Sequence, residues 1–420
     1  MPWLSRGYRT TRNSSIFLFP VDGLNASYED LFNVYSEIVA DFSEAERSAL
    51  FGGNAERVYR LCPGEGRTRP PSVQATMRSL DAQGTLVTPP LRLGVCLWNQ
   101  ASGWPDLLET ACLADRLGYE HLWTWDHLLS IYGEPDQPVF DSWTVLAAVA
   151  ASTERIHLGP LVTANTFRHP SLLAKVVTTV DHISGGRAIL GIGSGWFERE
   201  HHANGIEFGT GFGDRIERMG EAVGLIRSLF RGEEVTSFGP AYPVDRLRHE
   251  PRPVRGDVPI LIGGRGRTKT LRVVATHAQI WNAYGTPAEL SDHDEVLQAH
   301  CEDVGRDHTE IERSVQAKVV IRDTREEAES AFADLLSMNK TVWAGRGVGA
   351  EPDMIQRHVF PDPDSAIWLG SPEQIAELIA KYVSVGFGTV IAEIPAPYDR
   401  ETIERLIGEV APLVRVGGVP

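Results

Sequence analysis

From residue 91 onward the chain alternates short apolar runs with helices that carry one apolar face. The runs at 91–97, 119–125, 156–162, 187–192, 259–262, 279–282, 315–321 and 389–393 are too short for buried helices. Their composition suits strands covered on both faces. Helical periodicity marks 105–117, 143–151, 171–183, 214–230, 268–276, 288–304, a segment from 324, 372–385 and 400–414. The helix at 214–230, for example, sets Ile216, Met219, Val223, Ile226 and Leu229 on one side. Gly118 stands where the first helix stops and Ser371-Pro372 where another starts, the ends these residues favour. Eight strands alternating with helices over roughly 320 residues predict an α/β fold of the (β/α)8 TIM-barrel type with insertions. A doubly wound sheet is the alternative. It would want an acidic residue closing a strand about twenty residues past its glycine loop, a distance that here falls inside the 214–230 helix.

Composition narrows the partners. The formal charge of −16 on 420 residues argues against nucleic acid or an anionic membrane as the main partner. No run is long and apolar enough to span a bilayer. The apolar stretch 16–19 is too short for the core of a signal peptide. Cys62, Cys96, Cys112 and Cys301 have no paired spacing, which fits a reducing cytoplasm and no structural zinc. The expected protein is cytoplasmic and acts on a small molecule.

The first ninety residues read differently. Tyr28, Leu31, Phe32, Tyr35, Ile38 and Val39 recur at helical spacing, and Ser43 with Glu46 has the pattern of a capping box. Residues 62–90, rich in proline and polar side chains, read as a flexible linker. Phe42-Ser-Glu-Ala-Glu-Arg47, followed by Leu50-Phe-Gly-Gly-Asn-Ala-Glu-Arg-Val-Tyr-Arg-Leu61, resembles the closing helices of metal-dependent amidohydrolases of the decarboxylase-like type. That family's metal-binding histidine pair and most of its barrel are absent, so the resemblance implies a remnant without that activity. The expected division is a helical extension at 1–61, a linker at 62–90 and the barrel domain at 91–416.

In a (β/α)8 barrel the chemistry sits where strands end and loops begin. Strand two runs into Trp125-Asp126-His127. This carboxylate and imidazole either work as an acid/base or ligand-orienting pair, or are a helix-start Asp and a structural His. Strand three is followed by the polar loop Thr163-Ala-Asn-Thr-Phe-Arg-His-Pro170. Strand four ends in Gly193-Ser194-Gly195-Trp196. Its glycines either bring backbone N–H groups close to a ligand or make a tight turn. Trp196 stands where a dinucleotide fingerprint would continue towards another glycine. The neighbours His201 and His202 point different ways on a helix, so no metal pair is expected. Strand five is followed by Gly263-Gly264-Arg265-Gly-Arg-Thr-Lys269 at a helix start, a physically reasonable anion site. Between Arg246 and Arg272 there are eight Lys/Arg against Glu250 and Asp257. That local positive field suggests a phosphate-bearing ligand, the alternative being a solvated loop.

Taken in order, four segments resemble the luciferase-like flavin/deazaflavin oxidoreductases over 91–415. They are Leu117-Gly-Tyr-Glu-His-Leu-Trp-Thr-Trp-Asp-His127, Ser184-Gly-Gly-Arg-Ala-Ile-Leu-Gly-Ile-Gly-Ser-Gly-Trp-Phe-Glu198, Pro259-Ile-Leu-Ile-Gly-Gly264 and Ala278-Gln-Ile-Trp-Asn282. The subgroup resembled most is that of coenzyme F420-dependent enzymes. The resemblance implies hydride transfer between F420 and a small organic substrate, with Asp126 and His127 beside the ring as the catalytic residues. It implies that Leu161 and Val162 form the bulge on which the ring leans, one that often contains a non-proline cis peptide. Ala164, Ser194, Gly195 and Trp196 would line the coenzyme tail or the substrate side, and Gly263, Gly264 and Arg265 would hold the phosphate. Family members that oxidise glucose 6-phosphate carry a catalytic Glu where this chain has Trp196, and a Thr where it has Ala164. The resemblance therefore points away from that substrate and towards an apolar or planar one. An FMN-dependent monooxygenase using O2 is the alternative within the fold, and a non-catalytic flavin or deazaflavin carrier is the alternative outside enzymes. The family often dimerises, so a homodimer is expected.

Overall fold

Strand β1 (Arg92–Leu97) is buried along its whole length and alternates between two environments. Leu93, Val95 and Leu97 face the helices that cover the sheet, while Cys96 faces the opposite way. Strands β2, β8, β9 and β12 repeat this division, as strands covered on both faces do. This computed structural model describes residues 91–131, 137–237, 239–338 and 366–414, together with Ser43. Apart from Ser43, the extension and linker expected over 1–90 lie outside the described residues.

After β1 come helix α1 (Trp104–Leu117), β2 (His121–Thr124), α2 (Ser142–Ser152), β3 (His157–Pro160), β4 (Thr163–Ala164) and α3 (Pro170–Ser184). Then follow β5 (Leu190–Gly193), the short α4 (Glu198–Ala203), α5 (Phe212–Phe230), and a hairpin of β6 (Val235–Ser237) and β7 (Val244–Leu247). The ring resumes with β8 (Ile260–Gly263), α6 (Thr270–His277), β9 (Ile280–Ala283), α7 (Pro287–Val304), β10 (Glu312–Ile321) and α8 (Arg325–Met338). Then come β11 (Ile367–Gly370), α9 (Pro372–Ser384), β12 (Thr389–Ile394) and α10 (Arg400–Arg405), which runs on through a π turn at Leu406–Val410 and a last helical turn at Ala411–Leu413.

Nine parallel strands follow one path, β3-β2-β1-β12-β10-β9-β8-β5-β4. A bridge between Leu158 of β3 and Ala188, just before β5, joins the ends. Its hydrogen bonds are Leu158 N to the Arg187 carbonyl, 3.0 Å, and Ile189 N to the Leu158 carbonyl, 2.9 Å. Since β3 and β4 are one strand interrupted at residues 161–162, the ring has eight positions taken in chain order. This is the (β/α)8 barrel that the alternation predicts, and the order rules out a doubly wound sheet. β11, which periodicity alone does not single out, pairs with the outer half of β10 and lies off the ring. Local signals hold where they were read. Gly118 ends α1 in the left-handed region at φ 91, and Ser371 caps α9 in a capping box with Gln374. No described helix is long and apolar enough to cross a membrane.

Candidate active site

The inner face of the ring is lined by a small apolar cluster that includes Trp98, Trp125, Ile131, Leu161 and Phe197. Above it a cavity of about 230 Å³ opens among the C-terminal ends of the strands. Asp126, His127, Leu161, Val162, Ala164, Ser194, Gly195, Trp196, Gly263 and Gly264 all line it. Ten of the eleven residues singled out from the sequence thus meet around one space. Arg265 stands just outside the lining, its guanidinium 4.5 Å above the ring of Tyr284, which does line it.

The loop after β2 is fixed by a side chain from the loop after β1. Asn99 accepts a hydrogen bond from Trp125 N at 2.9 Å and donates to the Trp125 carbonyl at 2.9 Å. Asp126, only 1% exposed, accepts hydrogen bonds from Thr163 Oγ1 and from Arg168. Arg168 also binds Asp141, the N-cap of α2. Burial pushes the Asp126 carboxyl above its ordinary range, against the downward pull of Arg168 and Thr163. Both of its oxygens are engaged by the protein.

His127 differs. Its Nδ1 lies 3.0 and 3.1 Å from the two carboxylate oxygens of Glu200, a buried residue on α4 that also accepts from Leu128 N at 2.9 Å. This pairing puts the proton on Nδ1 and leaves Nε2 for other partners. Burial works against protonation of the ring. The charge and hydrogen bond of Glu200, helped by Asp126, outweigh it and raise the pKa above the usual histidine range. Trp196 stands edge-on to the imidazole, ring centres 5.6 Å apart, and stacks on Phe197 at 5.3 Å. Sequence reasoning missed Glu200. It sits between Glu198, which it noted, and His201, and only the fold carries it across 73 positions to His127.

At the end of β3 the Leu161–Val162 peptide is cis, the feature that the family resemblance implies for this bulge. The bulge leans over glycines of the neighbouring strand. A Cβ on Gly191 would fall 1.9 Å from the Pro160 carbonyl oxygen, and one on Gly193 would fall 2.6 Å from Cγ2 of Val162. The glycines of strand four thus make room first for the protein's own backbone and only then for a ligand. Gly195, at φ 80, does need the left-handed region.

After β8, Gly264 takes φ 130 and its carbonyl accepts from Trp281 Nε1 at 2.8 Å. The positive stretch from Arg246 to Arg272 does not act as one field. Arg246 and Arg248 pair with Glu234 on the hairpin side, Lys269 with Glu217 and Arg272 with Asp303. Acids from other elements thus pair with these four of its eight cations, which composition over a window cannot reveal. His201 is held by Thr166 Oγ1 and the Phe197 carbonyl, and His202 is exposed beside Glu198.

Residues 91–389 match the family model described as luciferase-like monooxygenase. The chain belongs to this family. Within it, the chain is 30% identical to an F420-dependent glucose-6-phosphate dehydrogenase of Microbacterium testaceum, across 77% of this chain and 97% of that one. It is 25% identical to an FMNH2-dependent dimethylsulfone monooxygenase of Pseudomonas putida, across 73% and 87%. Among solved structures, an F420-dependent secondary alcohol dehydrogenase holding an F420–acetone adduct superposes with a TM-score of 0.66. That match has 18% identity, over 78% of this chain and 99% of that one, and it speaks for the luciferase-like fold alone.

Proposed function

We propose that this chain is a coenzyme F420-dependent oxidoreductase that moves a hydride between the deazaflavin and a small organic substrate. The observation that carries this reading is His127. Its imidazole is held by buried Glu200 and faces the same cavity as the Leu161–Val162 bulge, in a family whose matches include F420-dependent enzymes. The residues present fit the coenzyme. Leu161, Val162, Trp125 and Ile131 offer a flat apolar surface to a tricyclic ring. The bare backbone of Gly263 and Gly264, with Arg265 beside it, offers a phosphate close approach ahead of α6.

When bound, the deazaflavin supplies the two-electron chemistry. His127 handles the matching proton at Nε2, because Nδ1 is committed to Glu200. Glu200 keeps the imidazolium available as a proton donor and holds the ring in one orientation. Asp126 acts through others. With its oxygens bound by Arg168 and Thr163, it braces the loops after β2 and β3 and adds negative charge beside His127. Leu161 and Val162 support the ring. Ala164, Ser194, Gly195 and Trp196 line the tail or the substrate side, and Gly263, Gly264 and Arg265 hold the phosphate. A cytoplasmic homodimer with an inert remnant at 1–61 and a linker at 62–90 completes the proposal.

The similarity to an FMNH2-dependent monooxygenase favours a second reading, FMN with O2. Anaerobic oxidation of reduced F420 with a panel of carbonyl compounds, run beside oxygen uptake with reduced FMN, separates them. Oxygen uptake with FMN and no F420 turnover would sink the first reading.

A further inference from the structure

We propose that a cavity at the floor of the barrel, walled by Arg227, Arg231, Arg306 and His277, is a second ligand site, and that it takes a small phosphate ester with hydroxyl groups on its body. The proposal stands apart from the reading of the active site, because it concerns the other end of the ring.

The cavity has a volume of about 650 Å³. Asp257 and Gln279 line it just before β8 and β9, whose far ends, at Gly263 and Asn282, line the candidate active site. The end of α5 brings Arg227 and Arg231, four residues apart and so on one side of the helix. Helix α6 ends there with His277, and Arg306 follows the stop of α7 at Gly305. Two of these arginines have a structural duty. Arg227 Nη1 donates to the His277 carbonyl and Arg306 Nη1 to the Ala275 carbonyl, the latter at 3.0 Å, which closes open carbonyls at the end of α6. Two carboxylates also stand here. Asp257 lies 3.8 Å from Arg227 Nη2, beyond hydrogen-bond reach, and Glu310 accepts from Arg306 Nε at 3.1 Å. The exposed guanidinium of Arg231 has no ion pair or hydrogen bond among the described residues.

The charge balance is three guanidiniums against Asp257 and Glu310. His277 shows which sign prevails. Burial, then Arg227, Arg306 and Arg231, lower its pKa to about 4, so the ring is neutral at ordinary pH. Burial also pushes the Asp257 carboxyl up, against Arg227, the Val258 N–H and Arg231. Donors outnumber acceptors. A guanidinium has five N–H groups, and the contacts above leave all of them on Arg231 and both at Nη2 of Arg306. Gln279, whose side-chain oxygen accepts from Ile260 N at 3.0 Å, keeps its amino group, and Ser228 adds a hydroxyl. Guanidiniums carried on separate elements suit a tetrahedral oxyanion, which can take N–H groups from more than one side. The volume falls within the range of small-molecule pockets, about 300–1,000 Å³, and exceeds what a bare phosphate fills. Asp257 and Glu310 accept from hydroxyls on the rest of the molecule, which chooses an ester over the free ion.

The test reads the ring of His277 by NMR in the full-length protein labelled with 13C-histidine, the signal being assigned by its loss in His277→Gln. The first probe is sulfate, a dianion throughout, with sodium chloride holding the ionic strength constant. A bound dianion favours the imidazolium, so at about pH 5 the ring, neutral in the free protein, should take up a proton as sulfate is added. Glycerol 3-phosphate and inorganic phosphate are then titrated at about pH 8, where both are mainly dianions. The ester should move the His277 signal saturably and bind more tightly than inorganic phosphate. Arg231→Ala, at an exposed position, should weaken the ester about tenfold by removing one of three charges. Arg265→Ala, at the other end of the ring, should leave the response intact. A His277 signal that responds to neither sulfate nor the ester overturns the proposal. So does parent affinity in Arg231→Ala, or a response that disappears in Arg265→Ala. Inorganic phosphate binding as tightly as the ester overturns the choice of an ester. None of these readings involves F420, so a failure of the coenzyme reading is seen separately.

Discussion

Gly193→Ala tests whether the bulge is built against strand four as described. The added Cβ would lie 2.6 Å from Cγ2 of Val162. A comfortable carbon–carbon contact is about 3.8 Å, so roughly 1 Å must be opened. Overpacking of that kind costs about 1–3 kcal/mol. Replacing glycine by alanine returns about 0.4–1 kcal/mol through the unfolded chain, since Gly193 is not in the left-handed region. The net expectation is a loss of about 1–2 kcal/mol. Val162→Ala removes both Cγ methyls, the opposing one included, at a cost of about 1–3 kcal/mol, twice that of a one-methyl deletion. The double variant should therefore be more stable than the sum of the two predicts, by about 1–2 kcal/mol. Denaturant midpoints of the four proteins, compared at equal slope, give the coupling energy. F420 affinity should fall in Gly193→Ala and recover in the double variant, because the support for the ring moves and returns. Coupling below about 0.3 kcal/mol would refute the reasoning.

Four other substitutions have defined outcomes. His127→Ala should abolish turnover while F420 still binds, and Glu200→Gln should move the pH-rate limb that reports His127 to lower pH; a limb that stays put would remove Glu200 from the mechanism. Burial, with Arg92, Arg255 and Arg187 nearby, lowers the pKa of His157 to about 4. Its contribution is therefore complete above the unfolded value near 6.5 and drains away as pH falls from there towards 4. That amounts to about 3 kcal/mol, and His157→Gln should flatten this part of the stability-pH curve, an unchanged slope being the contrary result. Arg265→Ala should weaken F420 about tenfold and leave the phosphate-free deazaflavin core unaffected, whereas equal losses for both would place the phosphate elsewhere.

The barrel was legible because strands buried on both faces and capped helices announce themselves by local pattern. The strand ends then collected Asp126, His127, Ser194, Trp196 and Gly264 around one cavity. Two kinds of information were not local. Glu200 reaches His127 only through the fold, from a six-residue helix with no pattern of its own. Gln316, Lys318 and Glu393, which also line the cavity, lie inside apolar runs, and a strand covered on both sides does not declare which of its faces lines the barrel. The glycines of strand four were legible as close approaches, but the approaching group is Pro160 and Val162 of the neighbouring bulge. The charge of the basic stretch was legible only in part, since the partners of Arg246, Arg248, Lys269 and Arg272, namely Glu234, Glu217 and Asp303, come from other elements.

The most direct test of the central claim is an equilibrium titration of the full-length protein with F420 and, separately, with FMN, followed by the absorbance of each ligand. The account predicts saturable one-to-one binding of F420, weakened by Arg265→Ala and preserved in His127→Ala, with FMN binding more weakly. Tight FMN binding with no F420 binding would contradict it.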